Sequence, residues 1–375
     1  MMKSLTWNQV NAWRLSQHGL APRLNRDDIV EVTSRLYGIH AQVMSAAELA
    51  LAARTNRLSP QDVQAALWQN RTLVKTWAMR GTLHLLAAED LPLHAAARTA
   101  DPRGWIDFES RGISETQART FLEAVPDVLG SEPMTREQLA AAVTEQVGLP
   151  ALGELIASDR WGTPLKRFAF QGDLCFGPNQ GQNVTFVNAK KWLRKWEPVE
   201  PEEGFREIAR RYLHTYGPLT PKEFARWWNE GRVFVAKRVF KQIEDELEPV
   251  DVEGWQALAL RSTVERMQQS AISGVVRLLP LFDAYVLDIG RTGEPILSKQ
   301  YWKRVFRMGG WTTAVVLVDG FIKGLWDYKA KEAQTTITVE MFEPPTKLIQ
   351  QGIEAEATHL EEFLNTSVNL EFGPI

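Results

Sequence analysis

Residues 72–86, with the sequence TLVKTWAMRGTLHLL, contain two short strand-like runs around Arg80 and Gly81. A glycine supplies the backbone angles that a tight hairpin turn needs. Two helical patterns precede this hairpin: apolar residues recur at three- and four-residue spacing over 29–39, and an alanine-rich stretch covers 45–55. Helices followed by a β-hairpin are typical of a winged helix.

The same order of elements occurs twice more along the chain. Residues 131–147 have a helical pattern, and strand-like runs follow at 168–176 and 183–187. Residues 204–246 are again helical, and 247–260 predict a hairpin. Three units of similar size predict tandem copies of one module, although no repeat is visible residue by residue.

The C-terminal part has a different, β-rich pattern. Asp319-Gly320 is a strong two-residue hairpin signal, and a helix is predicted over 347–364. Strand-like segments that alternate apolar and polar residues lie at 275–287, 312–318, 321–326 and 335–342. The predicted fold class is mainly α with β (α+β): three tandem winged-helix modules and a small β-rich C-terminal domain. The predicted boundaries are 1–115, 116–200, 201–270 and 271–375.

Composition narrows the class of protein. The chain has 375 residues, 44% of them hydrophobic and 24% charged, as in globular proteins of two or three domains. No apolar run approaches the roughly 20 residues that span a bilayer, and the N-terminus lacks the apolar core of a signal peptide. A single cysteine, Cys175, fits a reducing compartment, so we expect a cytoplasmic protein. Its apolar neighbours favour a buried thiol over a nucleophile.

Charge is distributed unevenly. The net charge is −3, but residues 332–375 carry −7 and the preceding residues carry +4. An acidic tail can therefore conceal a basic face, which permits a nucleic-acid partner without requiring one. The basic candidates for phosphate contacts are Arg71, Lys75, Arg80, Lys166, Arg167, Lys190, Lys191, Arg194 and Lys195, with His84 beside the first turn. Each of them also fits a solvated surface position, and a strand histidine is more often packed or solvated.

Six segments resemble the AlkZ/YcaQ-like winged-helix family in the order expected along the chain. They are LYGIHAQ (36–42), VKTWAMRGTLH (74–84), YGPLTP (216–221), FARW (224–227), LLPLFD (278–283) and VLVDG (316–320). The resemblance implies three winged helices around a concave DNA-binding surface and a glycosylase that removes alkylated purines from duplex DNA, with interstrand crosslinks as further substrates of some members. Three modules in one chain favour a monomer, and we expect no cofactor.

The family's glutamine-aliphatic-glutamine motif maps onto His40-Ala41-Gln42, so histidine replaces the first glutamine. An alkylated purine already carries positive charge and is therefore a good leaving group. The enzyme must stabilise the positive charge that develops on the sugar and place a water beside the anomeric carbon. A neutral His40 could accept the proton of that water, and Gln42 could orient it through hydrogen bonds. These two residues share a face only if the chain leaves the helix near Gly38. Outside the resemblance, the residues favour a cap or core-edge role over a catalytic one.

Other site types find little support. No Cys/His cluster has zinc-ligand spacing, and neither a nucleophile elbow nor a phosphate-binding loop occurs in the sequence. No lysine is placed as a Schiff-base nucleophile, which favours a monofunctional glycosylase that does not cleave the strand. Two alternatives stay open: a non-catalytic winged-helix regulator, which is usually a dimer that reads a palindrome, and a protein-interaction scaffold.

Overall fold

The computed structural model describes residues 2–102, 106–229, 231–289, 295–330 and 334–375. The chain divides into two compact units. The larger consists of Met1–Gln64 together with Ala209–Ile375, and the smaller, Ala65–Ile208, interrupts it in chain order.

The N-terminal part of the larger unit is mostly helical. Thr6 and Gln9 form a capping box, in which each side chain accepts a hydrogen bond from the other's backbone N–H, and this fixes the start of the first helix. The elements of this part are β1 (Lys3–Leu5), α1 (Trp7–Gln17), β2 (Leu24–Asn25), α2 (Ile29–Arg35), β3 (Ile39–His40), α3 (Met44–Ala52), β4 (Thr55–Asn56) and α4 (Pro60–Gln64).

The smaller unit packs helices around an aromatic core that includes Phe121, Phe168 and Phe186. Strand β7 pairs with β9, which also pairs with β8, so the sheet order is β7-β9-β8. The elements are β5 (Leu73–Trp77), β6 (Leu83–Ala87), α5 (Leu91–Ala100), α6 (Glu115–Val128), β7 (Met134–Thr135), α7 (Arg136–Val147), α8 (Pro150–Ser158), α9 (Lys166–Phe170), β8 (Cys175–Gln180), β9 (Asn183–Val187) and α10 (Ala189–Trp192); α11 (Pro201–Tyr216) starts in this unit and ends in the larger one.

The second part of the larger unit contains two sheets. Strand β1 runs parallel to β10, giving the order β1-β10-β11, and the other sheet has the order β12-β13-β14-β15-β16. The elements are α12 (Pro221–Asn229), α13 (Val233–Gln242), β10 (Leu247–Val252), β11 (Trp255–Leu260), α14 (Arg261–Gln269), β12 (Val276–Leu279), α15 (Ala284–Ile289), α16 (Trp302–Val305), β13 (Val315–Val318), β14 (Phe321–Ala330), β15 (Gln334–Met341), α17 (Lys347–Leu364) and β16 (Ser367–Phe372).

The mixed helix and sheet architecture confirms the coarse fold prediction, and several local predictions are confirmed in detail. Asp319 (φ 48°) and Gly320 (φ 86°) form the two-residue turn between β13 and β14. Within the predicted helical stretch 131–147, Thr135 and Gln138 form a capping box that fixes the start of α7. Cys175 is fully buried, and burial raises the pKa of its thiol, as expected of a structural cysteine.

Two predicted strands were wrong in part. Within 168–176, residues up to Phe170 belong to α9, and strand β8 begins only at Cys175. A short apolar run fits a buried helix as well as a buried strand, and Gly172 (φ +72°) makes the turn that separates the two. Within 275–287, the strand ends at Leu279. Asp283 then caps α15, because its carboxylate accepts a hydrogen bond from the Tyr285 N–H at 2.9 Å.

None of the described helices is long and apolar enough to cross a membrane.

Candidate active site

The segment that carries His40 and Gln42 lies outside the helix that precedes it, which meets the condition for the two side chains to share a face. Helix α2 ends at Arg35, and positive φ angles at Tyr37 (52°) and Gly38 (111°) turn the chain into β3. Thr215 donates a hydrogen bond to the carbonyl of Arg35 at 2.8 Å. The Tyr216 hydroxyl donates another to Leu36 at 3.0 Å. These bonds satisfy carbonyls that the helix end leaves open and thereby fix the start of the segment.

His40 and Gln42 lie on either side of a fully buried residue. His40 ends the short strand β3 with 9% of its surface exposed, Ala41 is 0% exposed, and Gln42 is exposed in the bend before α3. Residues two apart in such a non-helical stretch can present their side chains on one side. The imidazole is therefore held at the edge of the core while the carboxamide faces solvent.

Phe282 forms the wall against which His40 packs. The two ring centroids are 4.6 Å apart, with 37° between the ring planes. Phe282 has a left-handed backbone conformation (φ 60°), which costs free energy for a bulky residue, and its N–H donates to the Thr312 hydroxyl at 2.7 Å. Its position is thus set by specific bonds as well as by packing.

A buried ion pair fixes the residue after Phe282. Both Arg54 and Asp283 have 0% of their side chains exposed, and the guanidinium donates two hydrogen bonds to the carboxylate, each at 2.7 Å. Arg54 also donates to the carbonyl of Ala50 at 2.8 Å. A bidentate Arg–carboxylate pair has one preferred geometry, so it holds the Phe282 backbone in place.

Sequence reasoning missed Phe282, Arg54 and Asp283 as parts of this site. The segment LLPLFD carried a family resemblance, but nothing in its spacing indicated that Phe282 meets a histidine 242 positions earlier in the chain. The available signal was local: an aspartate directly before an apolar helical run suggests an N-cap, and so a turn rather than a continuous strand.

The basic candidates from the sequence all lie in the smaller unit. In the 190–195 segment, Lys190 pairs with Asp173 at 2.7 Å and Lys195 pairs with Glu197 at 2.7 Å. Lys191 donates to the carbonyl of Leu129 at 2.9 Å. Arg194 is exposed and makes no ion pair within the described residues. The net charge available to a ligand is therefore smaller than the four cations suggest.

The remaining basic candidates differ in their surroundings. Arg71 stacks its guanidinium 3.5 Å from the centroid of the Trp192 ring, and the Lys75 ammonium lies 5.7 Å from the Phe176 ring. Arg80 lies at the hairpin turn with φ 57° and is half-buried. Lys166 at the start of α9 is also half-buried, whereas Arg167 is exposed.

His84 is only 2% exposed, and its Nδ1 lies 3.0 Å from the carbonyl of Thr82. A contact from this ring to DNA would require the hairpin to rearrange.

The other histidines are structural in character. Burial, followed by the charges of Arg54 and Arg14, lowers the pKa of His18 well below its usual value, so that its ring is neutral. Burial likewise lowers the pKa of His94. Over the described residues, no group of three or more His, Cys, Asp or Glu side chains is arranged to hold a metal ion.

Comparison with known proteins places the chain in a defined family. The family model described as "DNA glycosylase AlkZ-like" matches residues 33–363, which include the His40–Gln42 segment. The chain belongs to the AlkZ-like family of DNA glycosylases. The prediction of a DNA glycosylase from the sequence is thereby confirmed.

Two matches show how far the likeness to AlkZ-like proteins extends. The chain is 33% identical over 362 residues to the "Interstrand DNA cross-link repair glycosylase" of Streptomyces sahachiroi, covering 95% of both proteins. The solved structure of Streptomyces sahachiroi DNA glycosylase AlkZ superposes with a TM-score of 0.87 at 31% identity, over 99% of this chain and 100% of that one. The whole chain thus shares the AlkZ-like fold.

Proposed function

We propose that the chain hydrolyses the N-glycosidic bond of alkylated purines in duplex DNA, as a monofunctional glycosylase that uses His40 and Gln42. The observation that carries this proposal is the placement of these residues. They flank buried Ala41 outside any helix, in a segment that belongs to the matched family. This leaves an imidazole at the edge of the core and, two residues later in the chain, a solvent-exposed carboxamide.

The chemistry asked of the two residues is modest. A purine alkylated at N7 or N3 already carries positive charge, so it departs with little or no protonation, and positive charge develops on the sugar. His40 accepts the proton of the attacking water, or orients that water, which is typically worth about 10²–10⁴ in rate. Gln42 does not ionise near neutral pH, so it positions the water by donating and accepting hydrogen bonds.

We infer that three winged-helix modules, with the boundaries predicted above, form the concave surface that receives the duplex. In support, the smaller unit has the short strand β7, then helices α7 to α9, then the hairpin of β8 and β9. The three strands form one sheet in the order β7-β9-β8. The larger unit has the same order of elements. Leu219 forms a β-bridge with Leu258 of β11, and helices α12 and α13 lie between these two residues in sequence. The elements from α2 to β6 follow one another in the same chain order.

Alkylated bases in crosslinks are a further expected substrate. The Streptomyces sahachiroi relative is named for interstrand cross-link repair, and it aligns with 95% of this chain. Histidine in place of the first glutamine of the motif is the difference that bears most directly on substrate range. We propose that the enzyme acts as a monomer on the nucleoid in the bacterial cytoplasm, where its substrate lies.

The test is single-turnover release of N7-methylguanine from a duplex by the wild type, His40→Ala and Gln42→Ala. Gln351→Ala, an exposed change on α17, is the matched control. We expect release by the wild type, a loss of about 10²-fold or more in both site variants, and no loss in the control. Circular dichroism establishes that all four proteins are folded. A wild type that binds this duplex and crosslinked DNA but releases no base would contradict the proposal and favour a non-catalytic DNA-binding protein.

A further inference from the structure

A basic and aromatic segment, residues 299–311, lies beside the candidate active site and was not among the sequence candidates. Its sequence, KQYWKRVFRMGGW, contains four cationic residues and no acidic one. The segment ends in a tight loop in which Phe306 bridges Thr312 and the Arg307 N–H donates to the carbonyl of Trp311 at 2.8 Å. The 299–311 segment is therefore an ordered feature that ends in a defined turn.

This loop exposes apolar side chains that a globular protein usually covers. Met308 is 95% exposed and Trp311 is 50% exposed. Gly309 (φ +73°) and Gly310 (φ +80°) supply the left-handed backbone that makes the tight turn possible. Large exposed apolar groups beside a site commonly mark a binding surface.

Trp311 and His40 both pack against the ring of Phe282. The Trp311 and Phe282 ring centroids are 4.9 Å apart, and Phe282 in turn contacts His40 at 4.6 Å. Because the Arg54–Asp283 pair and the Thr312 hydroxyl fix Phe282, the indole has a rigid support on that side. The exposed part of Trp311 is therefore a rigid flat surface that is linked to the imidazole through Phe282.

The charges of the segment complement a nucleic acid. Arg304 is paired with Glu340 at 2.6 Å, so its charge is largely used within the protein. Lys303 and Arg307 are exposed, and neither forms an ion pair with an acidic residue of the described ranges. Cations interleaved with aromatic side chains are the usual means of binding phosphates while stacking a base.

We propose that Trp311 is the stacking surface for the alkylated purine beside His40, with Lys303 and Arg307 holding the adjacent phosphates. The inference rests on the proposed glycosylase function and names the group that selects its substrate. A purine alkylated at N7 is both planar and cationic, and indole is the aromatic side chain that attracts a cation most strongly. Trp311 thus favours an alkylated purine over an unmodified one.

The experiment measures binding separately from catalysis. The probe is a duplex with one N7-methylguanine on a 2′-fluorinated sugar, which resists hydrolysis, compared with the same duplex without the methyl group. The variants are Trp311→Ala and Trp311→Phe. Phe372→Ala is the control, because Phe372 is aromatic, also 50% exposed, and lies in the acidic tail.

We expect Trp311→Ala to weaken binding of the methylated duplex by about tenfold and to remove most of its preference over the unmodified one. Trp311→Phe should stay within about threefold of the wild type, and Phe372→Ala should match it. Lys303→Ala and Arg307→Ala should weaken both duplexes equally and each lower the salt dependence by about one counterion. A preference that persists in Trp311→Ala, or is absent from the wild type, overturns the proposal.

The base-release assay distinguishes this failure from that of the proposed function. If the wild type releases N7-methylguanine and Trp311→Ala does so at the same rate with unchanged preference, the stacking role is wrong and the glycosylase stands. If the wild type releases nothing, the glycosylase proposal fails, and the binding preference still decides whether Trp311 recognises the modified base.

Discussion

Two regions of the molecule, the surroundings of Arg54 in the larger unit and the 190–195 segment of the smaller unit, use charged side chains in opposite ways. In the larger unit, Arg54 and Asp283 are fully buried against each other. Arg23 and Arg277 both bond Glu356, whose side chain is 5% exposed. In the smaller unit, the 190–195 segment keeps its cations at the surface, where the Lys195–Glu197 pair is 75% and 72% exposed.

This difference shows that the burial and pairing of each charged side chain decide its role more than the net charge of its segment does. The buried Arg54–Asp283 pair fixes the core next to His40, whereas Arg194 of the 190–195 segment is exposed and without an ion pair among the described residues, so that its charge is available to an anionic ligand. The acidic tail illustrates the same point, because Glu356 and Glu340 are bonded to arginines within the larger unit. Part of the −7 charge of the tail therefore stabilises the fold.

Removal of one partner of the buried pair should have the largest effect. Asp283→Ala leaves the Arg54 guanidinium buried without a counter-charge, and we expect about 3–5 kcal/mol of destabilisation in urea unfolding. Glu340→Ala breaks the more exposed pair with Arg304 and should cost about 1 kcal/mol or less. Equal costs for the two variants would erase the proposed contrast between buried and exposed charges.

The next effect concerns His18, a buried group without a counter-ion. Its ring lies 4.7 Å from Tyr216 and 5.2 Å from Tyr285, and neither nitrogen has a hydrogen-bond partner among the described residues. Arg54 and Arg14 further disfavour its protonated form.

Because the pKa of His18 is depressed in the folded state, the unfolded chain binds the additional proton. Its contribution to stability is present above pH 6.5, the ordinary value, and is lost as the pH falls below it. We expect the wild type to lose up to about 1.4 kcal/mol per pH unit more than His18→Phe between pH 6.5 and 5. Parallel stability curves for the two proteins would show that His18 is not a buried neutral group.

The smallest predicted effect separates two cations of the 190–195 segment. Arg194 is exposed without an ion pair among described residues, whereas Lys190 is bonded to Asp173. Arg194→Ala should lower the salt dependence of duplex binding by about one counterion, and Lys190→Ala by less. Titrations at two salt concentrations check this, and an equal or larger effect of Lys190→Ala would mean that its ion pair opens on binding.

The parts of the fold that the sequence predicted correctly depend on local chemistry. The hairpin over 247–260, the Asp319-Gly320 turn and the helix over Lys347–Leu364 each depend on neighbouring residues. Strand β1 was missed because Lys3 pairs with Val250, far along the chain. Edge strand β16 was missed for the same reason, since it pairs in parallel with β15 after an intervening helix.

The candidate active site was likewise predictable only where it depends on local sequence. His40 and Gln42 were predicted through a motif, and the turn at Gly38 could be expected because glycine tolerates its φ of 111°. The contact from Phe282 to His40 was not predictable, because it depends on how two distant segments pack. A motif therefore nominated the candidate catalytic groups, and only the fold showed what surrounds them.

The most direct test of the account measures duplex affinity and single-turnover base release together for Gln42→Ala and Arg194→Ala. Gln42→Ala should bind a methylated duplex like the wild type and release the base about 10²-fold more slowly, even with all DNA bound. Arg194→Ala should bind more weakly and release the base at the wild-type rate once saturated. A Gln42→Ala protein that binds poorly but releases normally at saturation would contradict the assignment of the catalytic site to the His40–Gln42 segment.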